Sequence, residues 1–225
     1  MRAYLKPLTT ILLLAAAGTA FGAGSGSMPS MPRIESASPE DQARDAYNIG
    51  VRGVEKADGL IADAAQLTDT RKQQKALDKA HSGYANARKK FARATELNPR
   101  LPEAWNYLGY TNRQLGDYEA SLAAYDHALA LKPGFPEAIE YRGHAYLGLN
   151  RLNDAKQAYL ALYSSNRKLA AQLLTGMQDW IGSHRGNPAG VDTASLEAFA
   201  SWVSERSAIA AQTASLTREG ASASW

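Results

Sequence analysis

A 34-residue period organises the middle of this 225-residue sequence. The tripeptide Pro102-Glu103-Ala104 recurs as Pro136-Glu137-Ala138. The same offset relates further pairs, namely Tyr84 and Tyr118, Ala94 and Ala128, Leu97 and Leu131, Pro99 and Pro133, Tyr107 and Tyr141, Gly109 and Gly143, and Leu115 and Leu149. A unit of this length holds two helices and a turn and cannot bury its apolar face alone. The period therefore predicts a stack of helix pairs, and the 42 alanines of the chain favour helix as well.

Residues 102–133 carry a more specific pattern. It consists of Trp105, Leu108 and Gly109, then Gly116-Asp117-Tyr118, Tyr125, Ala128 and Pro133. At these spacings the stretch resembles a tetratricopeptide repeat. Residues 136–167 resemble it less closely, because Ile139, Arg142 and Asn150 replace the tryptophan, the leucine and the turn glycine. The resemblance implies an all-α, right-handed superhelix of antiparallel helix pairs, in which Gly109 and Ala128 let paired helices approach closely.

Upstream of these repeats, residues 39–101 predict a lengthened and divergent pair of the same kind. Ser38-Pro39-Glu40-Asp41 has the composition of a capped helix start. We expect a first helix from there to about Gln66, with Ile49-Gly50 in the place of Leu108-Gly109, although its glycines weaken helix formation. Regular repeats are then expected at 102–135 and 136–168.

The residues after 168 predict helices that cap the stack, over 169–216. Leu169, Leu173, Met177 and Trp180 recur at helical spacing, a turn-rich segment follows from Gly182 to Asp192, and a last helix runs from Thr193 to Leu216. A solenoid needs its open end covered, so Trp180 and Trp202 are expected in the core. We expect a frayed tail over 217–225, in which Trp225 is inert or, alternatively, a recognition tag.

Residues 1–22 have the pattern of a secretory signal peptide. Arg2 and Lys6 precede the apolar run from Leu8 to Ala17, and small residues follow, so cleavage after Ala20, Gly22 or Ala23 fits. The run is too short to span a membrane, and an uncleaved anchor is the alternative interpretation. In a bacterial source, the mature chain would be periplasmic or secreted, without the cysteine that lipidation needs. Residues 23–38 predict a flexible linker, or a docking peptide at its two Met-Pro steps.

Catalytic and metal-binding patterns are missing from the sequence. The histidines His81, His127, His144 and His184 form no i,i+4 pair, and there is no cysteine. No nucleophile elbow or phosphate-binding glycine loop occurs. We therefore expect no enzyme activity, no metal and no cofactor.

The resemblance implies a concave groove lined by the first helix of each repeat. The corresponding positions are Glu103, Asn106, Tyr110, Arg113, Glu137, Glu140, His144 and Leu147. Family members that clamp a terminal carboxylate need cations where Asn106 and Glu140 stand, which disfavours that ligand. Tyr110 is the expected anchor, since Tyr and Arg dominate interface energies. The prediction is a non-catalytic scaffold that binds a protein or peptide; a merely solvated helix face is the alternative.

A basic stripe lies on the second helix of the lengthened pair. Its members are Arg71, Lys72, Lys75, Lys79, Lys89, Lys90 and Arg93, opposite an apolar side formed by Leu77, Ala80, Tyr84, Ala87 and Phe91. This basic stripe could bind anionic lipid headgroups, acidic polysaccharide or an acidic partner, or be a solvated face. Nucleic acid is disfavoured, because no aromatic residues interleave the basic ones. Signal removal leaves 23 basic and 22 acidic residues, so the basic character is local.

Overall fold

The computed structural model describes residues 37–186 and 190–222, with side chains up to 213. The predicted signal peptide, nearly all of the linker and Trp225 lie outside this part. The described residues form eight helices and no strand. Their bounds are α1 Pro39–Ala65, α2 Thr70–Leu97, α3 Pro102–Gln114, α4 Tyr118–Leu131, α5 Pro136–Gly148, α6 Leu152–Ser165, α7 Arg167–Gly186 and α8 Thr193–Ser222. None of the described helices has the length and apolar character needed to cross a membrane.

The helices pack as consecutive pairs in an all-α superhelix, which confirms the predicted fold class. Pairs α1–α2, α3–α4, α5–α6 and α7–α8 are each in contact. The first helices also contact one another, α1 with α3, α3 with α5 and α5 with α7, whereas no comparable contact joins α2, α4 and α6 within the described residues. The first helices therefore form the inner layer, which is the concave side of the superhelix.

Helix starts and turns follow local rules. Proline occupies the first turn of α1, α3 and α5, where its missing N–H costs no hydrogen bond. The Ser38 hydroxyl caps α1 by accepting from the Asp41 N–H at 3.0 Å, as the sequence predicts. Gly116 has φ of +80° in the α3–α4 turn, a value that glycine adopts without strain. Asn150, at φ 58°, takes the same role in the α5–α6 turn.

Small residues bring the paired helices together. A Cβ added to Gly109 would lie 2.5 Å from the ring of Tyr125, and one added to Gly50 would lie 2.7 Å from the ring of Phe91. Because Phe91 and Tyr125 are themselves one period apart, Gly50 is the counterpart of Gly109, as the sequence predicts. Helix α1 is continuous through its glycines.

Helices α7 and α8 cover the end of the stack. Leu173, Met177 and Phe199 are almost fully buried in one cluster with Leu162 of α6. Trp180 is buried in the same cluster and Trp202 packs against it, which confirms both as core residues. A wall of apolar side chains thus closes the solenoid at this end.

The helix ends and one apolar position differ from the sequence prediction. Helix α7 continues to Gly186, past the turn expected at Gly182. In this extension the Ser183 hydroxyl and His184 Nδ1 each lie 2.8 Å from the Trp180 carbonyl oxygen. Helix α8 continues to Ser222, where we expected a frayed tail from 217 on. Leu77, expected on the apolar side of α2, is 36% exposed. The reason is length: α3 has 13 residues and α2 has 28, so α3 cannot cover the far part of α2.

Candidate functional site

A row of tyrosines runs across the inner layer. Tyr47 of α1, Tyr107 and Tyr110 of α3, and Tyr141 of α5 are all half-buried. Their ring centroids are separated by 5.7 Å (Tyr47–Tyr107), 6.3 Å (Tyr107–Tyr110) and 5.1 Å (Tyr110–Tyr141). We call these four residues the tyrosine row. Each presents part of an aromatic ring, which suits contact with a peptide chain.

One carboxylate holds the tyrosines of two helices. The hydroxyls of Tyr84 and Tyr110 donate to Asp58 Oδ1 at 2.5 and 2.8 Å. The Gln114 side-chain amide donates to the same two hydroxyls, at 3.3 and 3.0 Å. Asp58 is on α1, Tyr84 is on α2, and the other two residues are on α3. This network fixes the Tyr110 ring, so Tyr110 is a preorganised part of the surface.

Burial raises the pKa values of the Tyr110 and Tyr141 hydroxyls. It is the largest cause of the raised pKa of Tyr110, and the hydrogen bond to Asp58 raises that pKa further. Burial, with a smaller contribution from the charge of Glu140, raises the pKa of Tyr141 to about 12. The tyrosines therefore act near neutral pH as hydrogen-bonding and stacking groups, and not as bases.

Arg113 is a cation of α3 that lies beside the tyrosine row. Its guanidinium carbon lies 5.2 Å from the Tyr110 ring centroid and 5.8 Å from that of Tyr141. Its Nε is buried without a hydrogen-bond partner in the described structure. No carboxylate of the described residues forms an ion pair with it, although eight other pairs are present there. Arg113 is thus held in place by two rings while its charge stays uncompensated by a direct partner.

The other predicted groove residues have different surroundings. Glu137 is exposed, and Glu103 pairs with Lys132 at 3.5 Å. Glu140 is 5% exposed, and its Oε1 lies 2.8 Å from His144 Nε2. Two further members, Asn106 and Leu147, are each 3% exposed. These two contribute mainly to packing, and Asn106 Oδ1 is buried without a partner in the described structure.

A pocket of about 540 Å³ opens at the carboxyl ends of α3 and α5. We call it the groove pocket. Its lining residues are His81, Arg113, Gln114, Leu115, Gly116, Tyr118, His144, Leu147, Gly148, Gly176 and Trp180. It unites Arg113, His144 and Leu147 of the predicted set, whereas the other five members are not among its lining residues.

Several residues of this region were not among the groove positions predicted from the sequence. Tyr107 and Tyr141 carried a signal, because they recur one period apart, but they served only to define the period. Asp58 is 26 and 52 residues from its two tyrosine partners, so no local pattern relates them. His81 and Trp180 enter the groove pocket from α2 and α7, outside the two regular repeats from which the groove was projected.

The basic stripe lies entirely on the exposed side of α2. All seven of its side chains are exposed. Within the described residues only Arg93 forms an ion pair, with Glu96 at 3.3 Å. A shallow cavity of about 320 Å³ next to Lys89, Lys90 and Arg93 also contains the exposed Ile49.

Comparisons with known proteins found one family model and several solved structures that are similar to parts of this chain. A family model described as "Tetratricopeptide repeat" matches residues 77–136. A solved structure of the first TPR of Spaghetti (RPAP3) bound to the HSP90 peptide SRMEEVD is 21% identical, with 56% of this chain and 94% of that chain covered and a TM-score of 0.38. The NMR structure of the first TPR domain of human RPAP3 is 17% identical, with coverage of 63% and 98% and a TM-score of 0.42. The family match spans part of α2 and all of α3 and α4, so this part of the chain is similar to a tetratricopeptide repeat.

Proposed function

We propose that this protein is an exported, non-catalytic scaffold that holds a segment of a partner protein along its concave face. Tetratricopeptide repeats are in general protein–protein interaction modules, and this class supports the proposal. The observation that carries it is the tyrosine row together with Arg113. Tyr and Arg are the residues that most often dominate binding energy at protein interfaces. Here Tyr110 is oriented in advance by its hydrogen bond to Asp58, and Arg113 lies over the Tyr110 ring, which lowers the entropy that these two side chains lose on binding.

The proposed export rests on the sequence of residues 1–22. Their basic start, short apolar run and small-residue end are typical of a signal peptide. Mass spectrometry of the protein recovered from an envelope fraction would then give a mature N-terminus after Ala20, Gly22 or Ala23.

Site-specific photo-crosslinking tests the scaffold function. A p-benzoylphenylalanine is placed at position 137, because Glu137 is exposed at the start of α5 in the inner layer. We expect one discrete adduct with a partner protein after irradiation of intact source cells, identified by mass spectrometry, because a bound segment lies within reach of this position.

The matched control carries the same photoreactive residue at position 123. Ala123 is exposed on α4, which is a second helix and lies outside the inner layer. Equal adducts at both positions, or no adduct at position 137, would contradict binding at the concave face.

A second proposal concerns the basic stripe, which we infer to hold the protein against an anionic surface. Its support is that six of its seven cations lack an ion pair within the described structure. We expect sedimentation with phosphatidylglycerol vesicles but not with phosphatidylcholine vesicles, and a steep loss between about 50 and 150 mM salt.

Charge-reversal variants distinguish binding of vesicles by the basic stripe from nonspecific attraction of vesicles by other cations of the protein. Lys89→Glu, Lys90→Glu and Arg93→Glu together should abolish sedimentation. The same reversal at the exposed Arg52, Lys56 and Lys168 should leave most of it. Similar losses in the two triple variants would reject the basic stripe as a specific site.

A further inference from the structure

We propose that the groove pocket receives the side-chain carboxylate of an aspartate or glutamate in the partner segment, next to an apolar residue of that segment. This inference rests on the proposed scaffold function and adds the chemistry that the scaffold recognises. It is carried by the charge, the hydrogen-bond donors and the apolar walls of one cavity.

The charge of the pocket favours an anion. Among the described residues, its lining contains the permanent cation Arg113 and two histidines, but no aspartate or glutamate. The nearest buried acid, Glu140, is bonded to His144 at 2.8 Å, so its charge is already engaged. Arg113 has no ion-pair partner among the described residues and is fixed over Tyr110 and Tyr141. A carboxylate at Arg113 would gain a charge-assisted hydrogen bond without breaking an existing ion pair.

The remaining walls of the pocket are apolar. Leu115, Tyr118, Leu147 and Trp180 line it beside the polar groups. Leu77, 36% exposed, lies one turn before His81 on the same face of α2 and extends this apolar surface beyond the pocket. A bulky apolar residue beside the acidic one would cover the parts of this surface that water otherwise contacts, which are those of Leu115, Tyr118 and Leu77.

The surroundings favour an acid within a chain over a chain terminus. From Arg113 the tyrosine row continues through Tyr110 and Tyr107 to Tyr47 on α1. On another side the pocket is bordered by the long α2, with the exposed Leu77. A segment anchored at Arg113 therefore has contact surface in both chain directions. The positions of Asn106 and Glu140, which are nearly buried, offer no second cation to a terminal carboxylate.

The test uses a positional-scanning library of heptapeptides that are acetylated at the N-terminus and amidated at the C-terminus, so that only side chains can supply a carboxylate. The immobilised mature protein selects from the library, and the retained pool is sequenced. We expect Asp or Glu to be enriched at one position and a large apolar residue at an adjacent one. The best acidic peptide is then compared with its Glu-to-Gln analogue by fluorescence anisotropy, and we expect about tenfold weaker binding of the analogue.

Protein variants assign the effect to Arg113. Arg113→Gln should weaken the acidic peptide about tenfold and leave the amide analogue unchanged, whereas Arg113→Lys should retain part of the preference. Arg151→Gln is the matched control, because Arg151 pairs with Asp154 and is not part of the pocket lining. Circular dichroism shows whether Arg113→Gln is folded. If it is not, the comparison of the acidic peptide with its Glu-to-Gln analogue still tests the proposal, because both peptides are measured against the wild-type protein.

The outcomes separate the two proposals. Retained peptides without acidic enrichment, or an acidic preference that Arg113→Gln does not change, would overturn the carboxylate site and leave the scaffold function standing. Retention of no peptide by the wild-type protein, together with no adduct at position 137, would overturn both.

Discussion

At the scale of single residues, two helical glycines have opposite surroundings. Gly109 faces the ring of Tyr125, which is 0% exposed and cannot move away from an added methyl group. Gly59 of α1 has no atom within 4 Å of the position that a Cβ would occupy. Gly109 is therefore required for helix contact, whereas Gly59 only adds freedom to the unfolded chain.

We expect the two alanine substitutions to change stability in opposite directions. Gly109→Ala should lower the free energy of unfolding by about 1–3 kcal/mol through overpacking against Tyr125. Gly59→Ala should raise it by up to about 1 kcal/mol through helix propensity. Urea unfolding followed by circular dichroism measures both. A Gly109→Ala variant as stable as the wild type would show that the α3–α4 contact is looser than the structure has it, and a destabilised Gly59→Ala variant would contradict the open space at Gly59.

At the scale of elements, the first helix pair differs from the regular repeats mainly in length. Helices α1 and α2 have 27 and 28 residues, against 13 and 14 for α3 and α4. The extra turns carry the exposed Ile61 and Leu77 beyond the reach of α3. They also place Asp58 against Tyr84 and Tyr110, and His81 at the groove pocket. The lengthened pair is thus both a repeat and one wall of the candidate site.

The same comparison explains what the sequence could predict. The contact of Gly109 with Tyr125 follows from the period, because both residues keep their places in the repeat. The Asp58 network does not follow, since it joins helices whose lengths differ and residues far apart in the chain. Leu147 has a groove position in the repeat frame, yet it is buried because α7 packs on α5 and joins its cluster. The Asp58 network and the burial of Leu147 both depend on helices outside the regular repeats, which the repeat pattern does not describe.

At the scale of the whole molecule, buried phenols link the inner and outer layers. Tyr47, Tyr84, Tyr110 and Tyr125 lie on four different helices, and burial is the main cause of the raised pKa of each. In the unfolded chain these phenols ionise near pH 10. The folded protein therefore holds protons that the unfolded chain releases at high pH, and this difference couples the stability of the solenoid to pH.

We expect the free energy of unfolding to be nearly constant from pH 8 to 9.5 and to fall above about pH 10. Because the folded pKa values are raised, the stabilisation is complete below the unfolded value and is lost as the pH rises through the folded ones, which for Tyr141 is about 12. Each such tyrosine contributes up to about 1.4 kcal/mol per pH unit in this window.

Urea unfolding at each pH, with phenolate absorbance as a second signal, gives the slope of the free energy of unfolding against pH. Tyr141→Phe should make the slope shallower. Tyr163→Phe should not, since the hydrogen bond with Thr213 lowers the Tyr163 pKa. Stability that does not change up to pH 11 would contradict the burial of these phenols.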